Sequence, residues 1–213
     1  MTGRVAAVNV GIVTEAEWAR GASGRSGIDK RPVDAPVLIR FDGVVGDFIG
    51  DRAYHGRPDQ AVYAYAEEDA GWWTTELGRD IRPGGFGENL TTYAVDVTGA
   101  VIGEQWQVGA ALLQVTTPRT PCTTFAGYWG VPDLIKRFTA RALPGAYLRV
   151  LREGEVGPGD PVEVVERPAH GVTIGEVFRA TSLEPELLPR LLDAQDLPEK
   201  IREKARRRLA ALG

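Results

Sequence analysis

The first 167 residues leave little room for long helices, because short apolar runs recur there between glycines and prolines. The runs "RVAAVNVGIV" (4–13), "APVLIRF" (35–41), "AVYAYA" (61–66), "QWQVGAALLQV" (105–115), "AYLRVLREG" (146–154) and "PVEVVER" (161–167) are rich in Val, Leu and aromatic residues. Some alternate and some are continuous, and both patterns predict strands. Turn signals such as "RPGGFG", "VTGAVIGE" and "EVGPGD" lie between them. Most of the 26 glycines fall in this part, which suits a closed or strongly bent antiparallel sheet. Two helices are predicted to interrupt it. In "YAEEDAGWWTTELG", Asp69, Trp72, Trp73 and Leu77 stand near helical spacing. In "VPDLIKRFTAR", Pro132 and Asp133 suit a first turn, with Leu134, Ile135 and Phe138 on one face.

From Gly171 the texture changes. "VTIGEVFRATS" places Thr173 and Glu176 at capping-box spacing before Val177 and Phe178. "EPELLPRLLDAQ" and "PEKIREKARRRLAALG" follow, the last with Ile201, Ala205, Leu209 and Leu212 at helical intervals. The fold class expected is mainly β. A barrel-like domain with a few inserted helices covers residues 1–168, and a three-helix appendage covers 169–213.

Charge and composition remove several function classes. A net charge of -4 argues against broad attraction to nucleic acid or an anionic membrane, so the basic run Lys200 to Arg208 reads as the solvated face of the last helix. No stretch approaches the roughly 18 apolar residues of a membrane span. The opening "MTGRVAAVNVGIVTEAEW" has too short an apolar core for a signal peptide, and a cytoplasmic protein is expected. One cysteine, Cys122, excludes an internal disulfide. With two histidines, His55 and His170, it is too few for a zinc site built from Cys and His alone, or for an iron–sulfur cluster with Cys ligands. A soft metal bound through Cys122 must draw most of its other ligands from a cofactor.

Four stretches place polar residues where a β domain needs only turns. "GIDKRPV" (27–33) carries Lys30 and Arg31. "GDFIGDRAYHGRPDQAV" (46–62) carries Asp47, Asp51, Arg52, His55, Arg57, Asp59 and Gln60. "GGFGENLTT" (84–92) is glycine-rich through Gly87 and ends in Glu88 and Asn89. "TTPRTPCTTFAG" (116–127) holds Arg119 and Cys122 among threonines. Each is ordinary alone. Together, Lys30, Arg31, Arg52, His55 and Arg57 supply donors for an anion such as a phosphate. The Gly84–Asn89 loop permits close backbone approach, and Asn89 offers an amide. Arg119 and the hydroxyls of Thr116, Thr117, Thr120, Thr123 and Thr124 favour a thiolate at Cys122. The sum predicts a pocket for an anionic heterocyclic cofactor with a thiolate at its reactive end.

In order and approximate spacing, "GIDKRPV", "GDRAYHGRPDQAVYAY…GWW", "GGFGENLTT…IGE" and "LLQVTTPRTPC" resemble the bacterial YiiM-type branch of the MOSC domain family (molybdenum cofactor sulfurase C-terminal domain). The resemblance covers nearly the whole chain, the C-terminal helices included. It implies a MOSC-type barrel-like domain holding molybdenum–molybdopterin, with no pyridoxal phosphate. Cys122 matches the family's metal ligand. Lys30 and Asn89 match cofactor-pocket positions, Arg119 lies in the cysteine motif, and His55 lies in the histidine–glycine motif. Where that motif usually reads His-Gly-Gly, this chain has His55-Gly56-Arg57, and Arg57 offers a further anion contact or a narrower entrance. The activity implied is reduction of N-hydroxylated compounds such as hydroxylaminopurine bases, with electrons from a separate reductase. His55, Asp47, Asp51 and Glu88 are the proton-donor candidates by type, and a homodimer is compatible. A persulfide carrier acting through Cys122, and a non-catalytic binding module for pterins or nucleotides, are the competing classes.

Overall fold

The computed structural model describes residues 3–19, 24–50 and 56–211. β1 (Arg4–Gly11) opens the chain. The predicted strand stops there, and Ile12 and Val13 are exposed. β2 (Thr14–Glu15) pairs with β3 (Arg25–Ser26). β4 (Lys30–Val33) folds back on β1 and sets Lys30 opposite Gly11. β5 (Val37–Arg40) and β6 (Gly43–Val44) begin a small separate sheet.

β7 (Val62–Ala66), α1 (Glu67–Leu77) and β8 (Leu90–Tyr93) form a crossover, so β7 and β8 pair in parallel. Every residue of β7 is buried, which explains its unbroken apolar run. Side chains alternate across a strand. Val62, Ala64 and Ala66 therefore enter the main core, while Tyr63 and Tyr65 enter a second, aromatic cluster with Trp73, Phe86, Phe125 and Phe138. α1 contributes Ala70 and Trp73 to the interior. Trp72, expected with them, is 37% exposed because it lies one residue off that face.

The run 105–115 is not one strand. Gly109 takes a φ of +51° and turns it into a hairpin of β9 (Gln105–Val108) and β10 (Ala111–Pro118). α2 (Thr123–Trp129) and α3 (Leu134–Arg141) follow. Pro132 and Asp133 precede α3 rather than forming its first turn; Asp133 sits at φ +59° with its carbonyl accepting from Arg137 N. Leu134 and Phe138 are buried, whereas Ile135 is only half-buried. β11 (Ala146–Arg152), β12 (Gly154–Val156) and β13 (Val162–Glu166) complete the sheets.

The large sheet runs β13-β9-β10-β11-β7-β8-β1-β4, and all its pairs but β7–β8 are antiparallel. It curls until Arg4 bridges Pro161, just ahead of β13. The described strands do not close into a ring, so the fold is a mainly β, strongly curved mixed sheet rather than a closed barrel.

At the C-terminal end, α4 (Ile174–Ser182) is capped by Thr173, whose hydroxyl accepts from Glu176 N at 3.1 Å. The middle segment, 185–192, is 3₁₀ rather than α. Pro189 inside it lacks the N–H that an α-helix needs. α5 (Glu199–Ala210) ends the described chain, and Leu212 lies outside the described residues. Leu188, Leu191, Ala194, Leu197 and Ala205 join the cluster that holds Val115 and Leu148 of the sheet, so these helices pack on their own chain. No helix among the described residues is long and apolar enough to cross a membrane.

Asp69, half-buried in the first turn of α1, has its pKa pushed up to about 6, mainly by burial and then by the Asp96 carboxylate. An unfolded Asp titrates near 4. The folded state therefore holds the proton more tightly, and stability falls as pH rises from about 4 to about 6. Allowing for partial exposure, the charged form costs on the order of 1–2 kcal/mol at neutral pH. Asp69→Asn should gain that amount over wild type at about pH 7.5 and lose the advantage near pH 4, as urea unfolding at the two pH values would show.

Candidate functional site

The cleft forms where β1, β4, β7 and β8 meet the loop after β10. Its first wall is an ion pair. Lys30 is buried, and its Nζ donates to both oxygens of Asp47 at 2.5 Å. Asp47 also accepts from Gly11 N at 2.6 Å and from Asn89 Nδ2 at 2.9 Å. Asn89 in turn donates to the Asn9 carbonyl and accepts from Tyr63 N at 3.2 Å. One carboxylate thus ties β1 and β4 to the segment leading into β8, and Asn89 extends the tie to β7. Burial lowers the pKa of Lys30, and the Asp47 charge opposes that fall. The Asn89 amide, expected to face a ligand, is committed to this network, although the residue lines the cleft.

The second wall is the glycine-rich loop. Glu88 is buried and accepts from Gly84 N at 2.6 Å, Phe86 N at 3.0 Å and the Thr91 hydroxyl at 2.9 Å. Burial pushes its pKa up, with these hydrogen bonds acting against it. The carboxylate closes the loop on itself and does not line the cleft. Gly84 has φ +78°, and a Cβ there would collide with the Lys30 carbonyl. Only glycine lets the loop lie against β4. Phe86 fills the space beneath, 5.0 Å from the Tyr65 ring and 5.5 Å from Phe125.

The third wall carries the thiol. β10 ends at Pro118, the chain turns through Arg119, and Cys122 caps α2 with its carbonyl accepting from Ala126 N at 3.1 Å. Cys122 is a free, half-buried thiol lining the cleft. Arg119 is only 5% exposed. Its guanidinium lies 4.0 Å from the Phe125 ring centroid, 5.5 Å from that of Phe138 and 5.6 Å from that of Tyr63. The aromatic faces favour the cation, but its buried Nη1 has no hydrogen-bond partner among the described residues.

Lys30, Asp47, Gly87, Asn89, Arg119, Thr120 and Cys122 all line one cleft of about 140 Å³. Arg31 instead pairs with Asp29 at 2.9 Å on the exposed side of β4. Thr117 is buried in β10 away from the cleft, and the Thr116 hydroxyl bonds within the fold to the Asp59 or Tyr147 carbonyl. Arg57 is exposed and does not line the cleft. Asp51, Arg52 and His55 lie outside the described residues. Sequence reasoning passed over Tyr63 and Tyr147, which line the cleft 5.1 Å apart, centroid to centroid. Their signal was the alternation of β7 and β11, read as core. Among the described residues no group of three or more His, Cys, Asp or Glu side chains could hold a metal.

A family model described as the MOSC domain matches residues 51–163. The chain belongs to the MOSC domain family. It is 30% identical over 155 residues to protein YiiM of Escherichia coli (strain K12), covering 71% of this chain and 68% of that one. A protein named Reductase from Gibberella moniliformis is 29% identical over 184 residues, which span 84% of this chain and 33% of that protein. The crystal structure of YiiM from Geobacillus stearothermophilus superposes with a TM-score of 0.80 at 29% identity, covering 97% of this chain and 99% of that one. The YiiM-like resemblance and the mainly β MOSC fold expected from the sequence are therefore both present.

Removing one member of the buried pair in this MOSC domain strands the other. Asp47→Asn leaves the Lys30 ammonium without a counter-charge and should destabilise by about 3 kcal/mol. Adding Lys30→Met should recover part of that loss, so the double variant will be more stable than the sum of the singles. A double-mutant cycle of urea midpoints measures it.

Proposed function

We propose that this MOSC protein is a cytoplasmic molybdenum-cofactor-dependent reductase of N-hydroxylated compounds, supplied with electrons by a separate reductase. The observation that carries the reading is the placement of the single thiol in the same cleft as a buried guanidinium whose Nη1 has no hydrogen-bond partner among the described residues. That donor set fits the group. Arg119 Nη1 is an unmet cationic donor suited to an anionic cofactor, and Cys122 offers one thiolate where a dithiolene ligand brings its own sulfurs. The MOSC family and the reductase-named relative support the same direction.

When bound, the cofactor supplies two-electron chemistry that removes the hydroxyl oxygen of an N–OH group as water. Cys122 would hold the metal, and Arg119 would neutralise the cofactor's charge. Gly87 lets backbone approach the ligand, and Tyr63, Phe86 and Tyr147 give it flat apolar walls. Of the described proton-donor candidates, Asp47 lines the cleft and Glu88 does not. Asp47 holds the Lys30 ammonium beside the cleft, and the lowered pKa of Lys30 eases proton release from that pair.

Protein made in a cofactor-competent host should retain molybdenum, and Cys122→Ser should lose most of it while staying folded. Equal metal content in the two proteins would refute ligation by Cys122. The thiol's position on the open cleft also suits a persulfide carrier. For that role, incubation with a cysteine desulfurase should add one sulfur atom to Cys122 by mass spectrometry, and an unmodified thiol counts against it.

A further inference from the structure

Asp29, Arg82 and Tyr128 do not line the cleft, yet together they hold all its walls from behind. Asp29 immediately precedes β4 and Lys30, and Arg82 lies just before the glycine-rich loop that begins at Gly84. Tyr128 lies in the last turn of α2, the helix that Cys122 caps. The Tyr128 hydroxyl donates to Asp29 Oδ1 at 3.1 Å and accepts from Arg82 Nη2 at 3.0 Å. The same Arg82 nitrogen pairs with Asp29. Arg82 Nη1 donates to the Pro83 carbonyl at 2.9 Å and to the Lys30 carbonyl. A single guanidinium thus joins β4, the loop and α2.

α2 governs both reactive groups of the third wall. It opens directly after Cys122, and its Phe125 ring centroid lies 4.0 Å from the Arg119 guanidinium. Trp129 Nε1 moors the same helix to the Gly85 carbonyl at 3.0 Å. Burial works to raise the Asp29 pKa, but the Arg31 hydrogen bond, the Arg82 charge and the Tyr128 hydroxyl hold it below the usual value. The carboxylate is therefore charged at neutral pH. The Arg82 and Asp29 side chains are 33% and 15% exposed, and an ion pair with that access to solvent adds little stability. What a planar fork of fixed donors adds is orientation.

We infer that Asp29, Arg82 and Tyr128 are positioning residues for the thiol: they lock the C-terminal end of α2 to β4 and to the glycine-rich loop. The lock sets where Cys122 and Arg119 stand relative to Lys30 and Gly87. It acts through α2 and touches no ligand. Its use in catalysis rests on the function proposed above, whereas the locking itself needs no metal.

The rate at which Cys122 in the full chain reacts with a bulky maleimide, under native conditions, reads the lock. Cys122 is half-buried against the aromatic cluster, and the reagent reaches it faster once α2 is free to shift. Tyr128→Phe keeps the ring that packs on Trp18 and removes the hydroxyl. It should raise the rate by about tenfold, the population change that accompanies loss of one hydrogen bond to a charged group. Arg82→Lys keeps the charge without the fork and should do the same, which keeps the test alive if one variant fails to fold. The two substitutions together should be no faster than the faster single, because both break one unit. Thr173→Ala removes the cap of α4, off the cleft; it should lower the urea midpoint and change the rate by less than about twofold. Unchanged rates in Tyr128→Phe and Arg82→Lys, multiplied effects in the double variant, or an equal rise in Thr173→Ala would overturn the lock. Molybdenum retained by the wild type alongside unchanged rates would remove this inference and leave the proposed function standing. Raised rates in the variants of a protein that retains no molybdenum would do the reverse.

Discussion

The Lys30 ammonium is buried, and a buried charge must be answered or given up. Asp47 answers it, and the way it does so arranges the cleft. Its oxygens also take the Gly11 N–H and the Asn89 amide, so neutralising one lysine fixes the edges of β1, β4 and β8. Asn89 passes the constraint to β7 through Tyr63 N. The pair adds no net charge to the cleft, and its worth lies in geometry.

Arg119 is the contrast. It has comparable burial but faces aromatic rings rather than a carboxylate. A cation stabilised by π faces keeps its donors for something else. Among the described residues the cleft therefore sets the balanced pair Lys30 and Asp47 beside a cation that faces rings, and the free thiol follows that cation by three residues. That asymmetry gives the site a chemical direction that a lined cavity alone would not have.

Much of this was legible in the residues themselves. Strand-like runs, capping at Thr173 and the separate texture of the C-terminal segment are local signals, and local signals survive folding. The gathering of Lys30, Asn89 and Cys122 was legible only as motifs, because the pairings that join them span many residues. The role of Glu88 was not legible. A carboxylate beside glycines reads equally as a ligand or as a loop staple, and only the positions of Gly84 N and Phe86 N decide it. Arg31 shows the same limit: alternation along β4 sends it to the opposite side from Lys30, yet the segment "GIDKRPV" carries no strand periodicity to warn of this. The hairpin at Gly109 was hidden because the apolar pattern continues unbroken across the turn.

β7 has no solvent face, since one side belongs to the sheet core and the other to the aromatic cluster. Apart from Tyr63, which walls the cleft, each of its residues is answerable to a packing environment already filled. Variation in what such a protein accepts is therefore channelled away from the rest of this strand and into the Gly84–Asn89 and Arg119–Cys122 loops. A lineage could explore new ligands there while inheriting β7 almost unchanged.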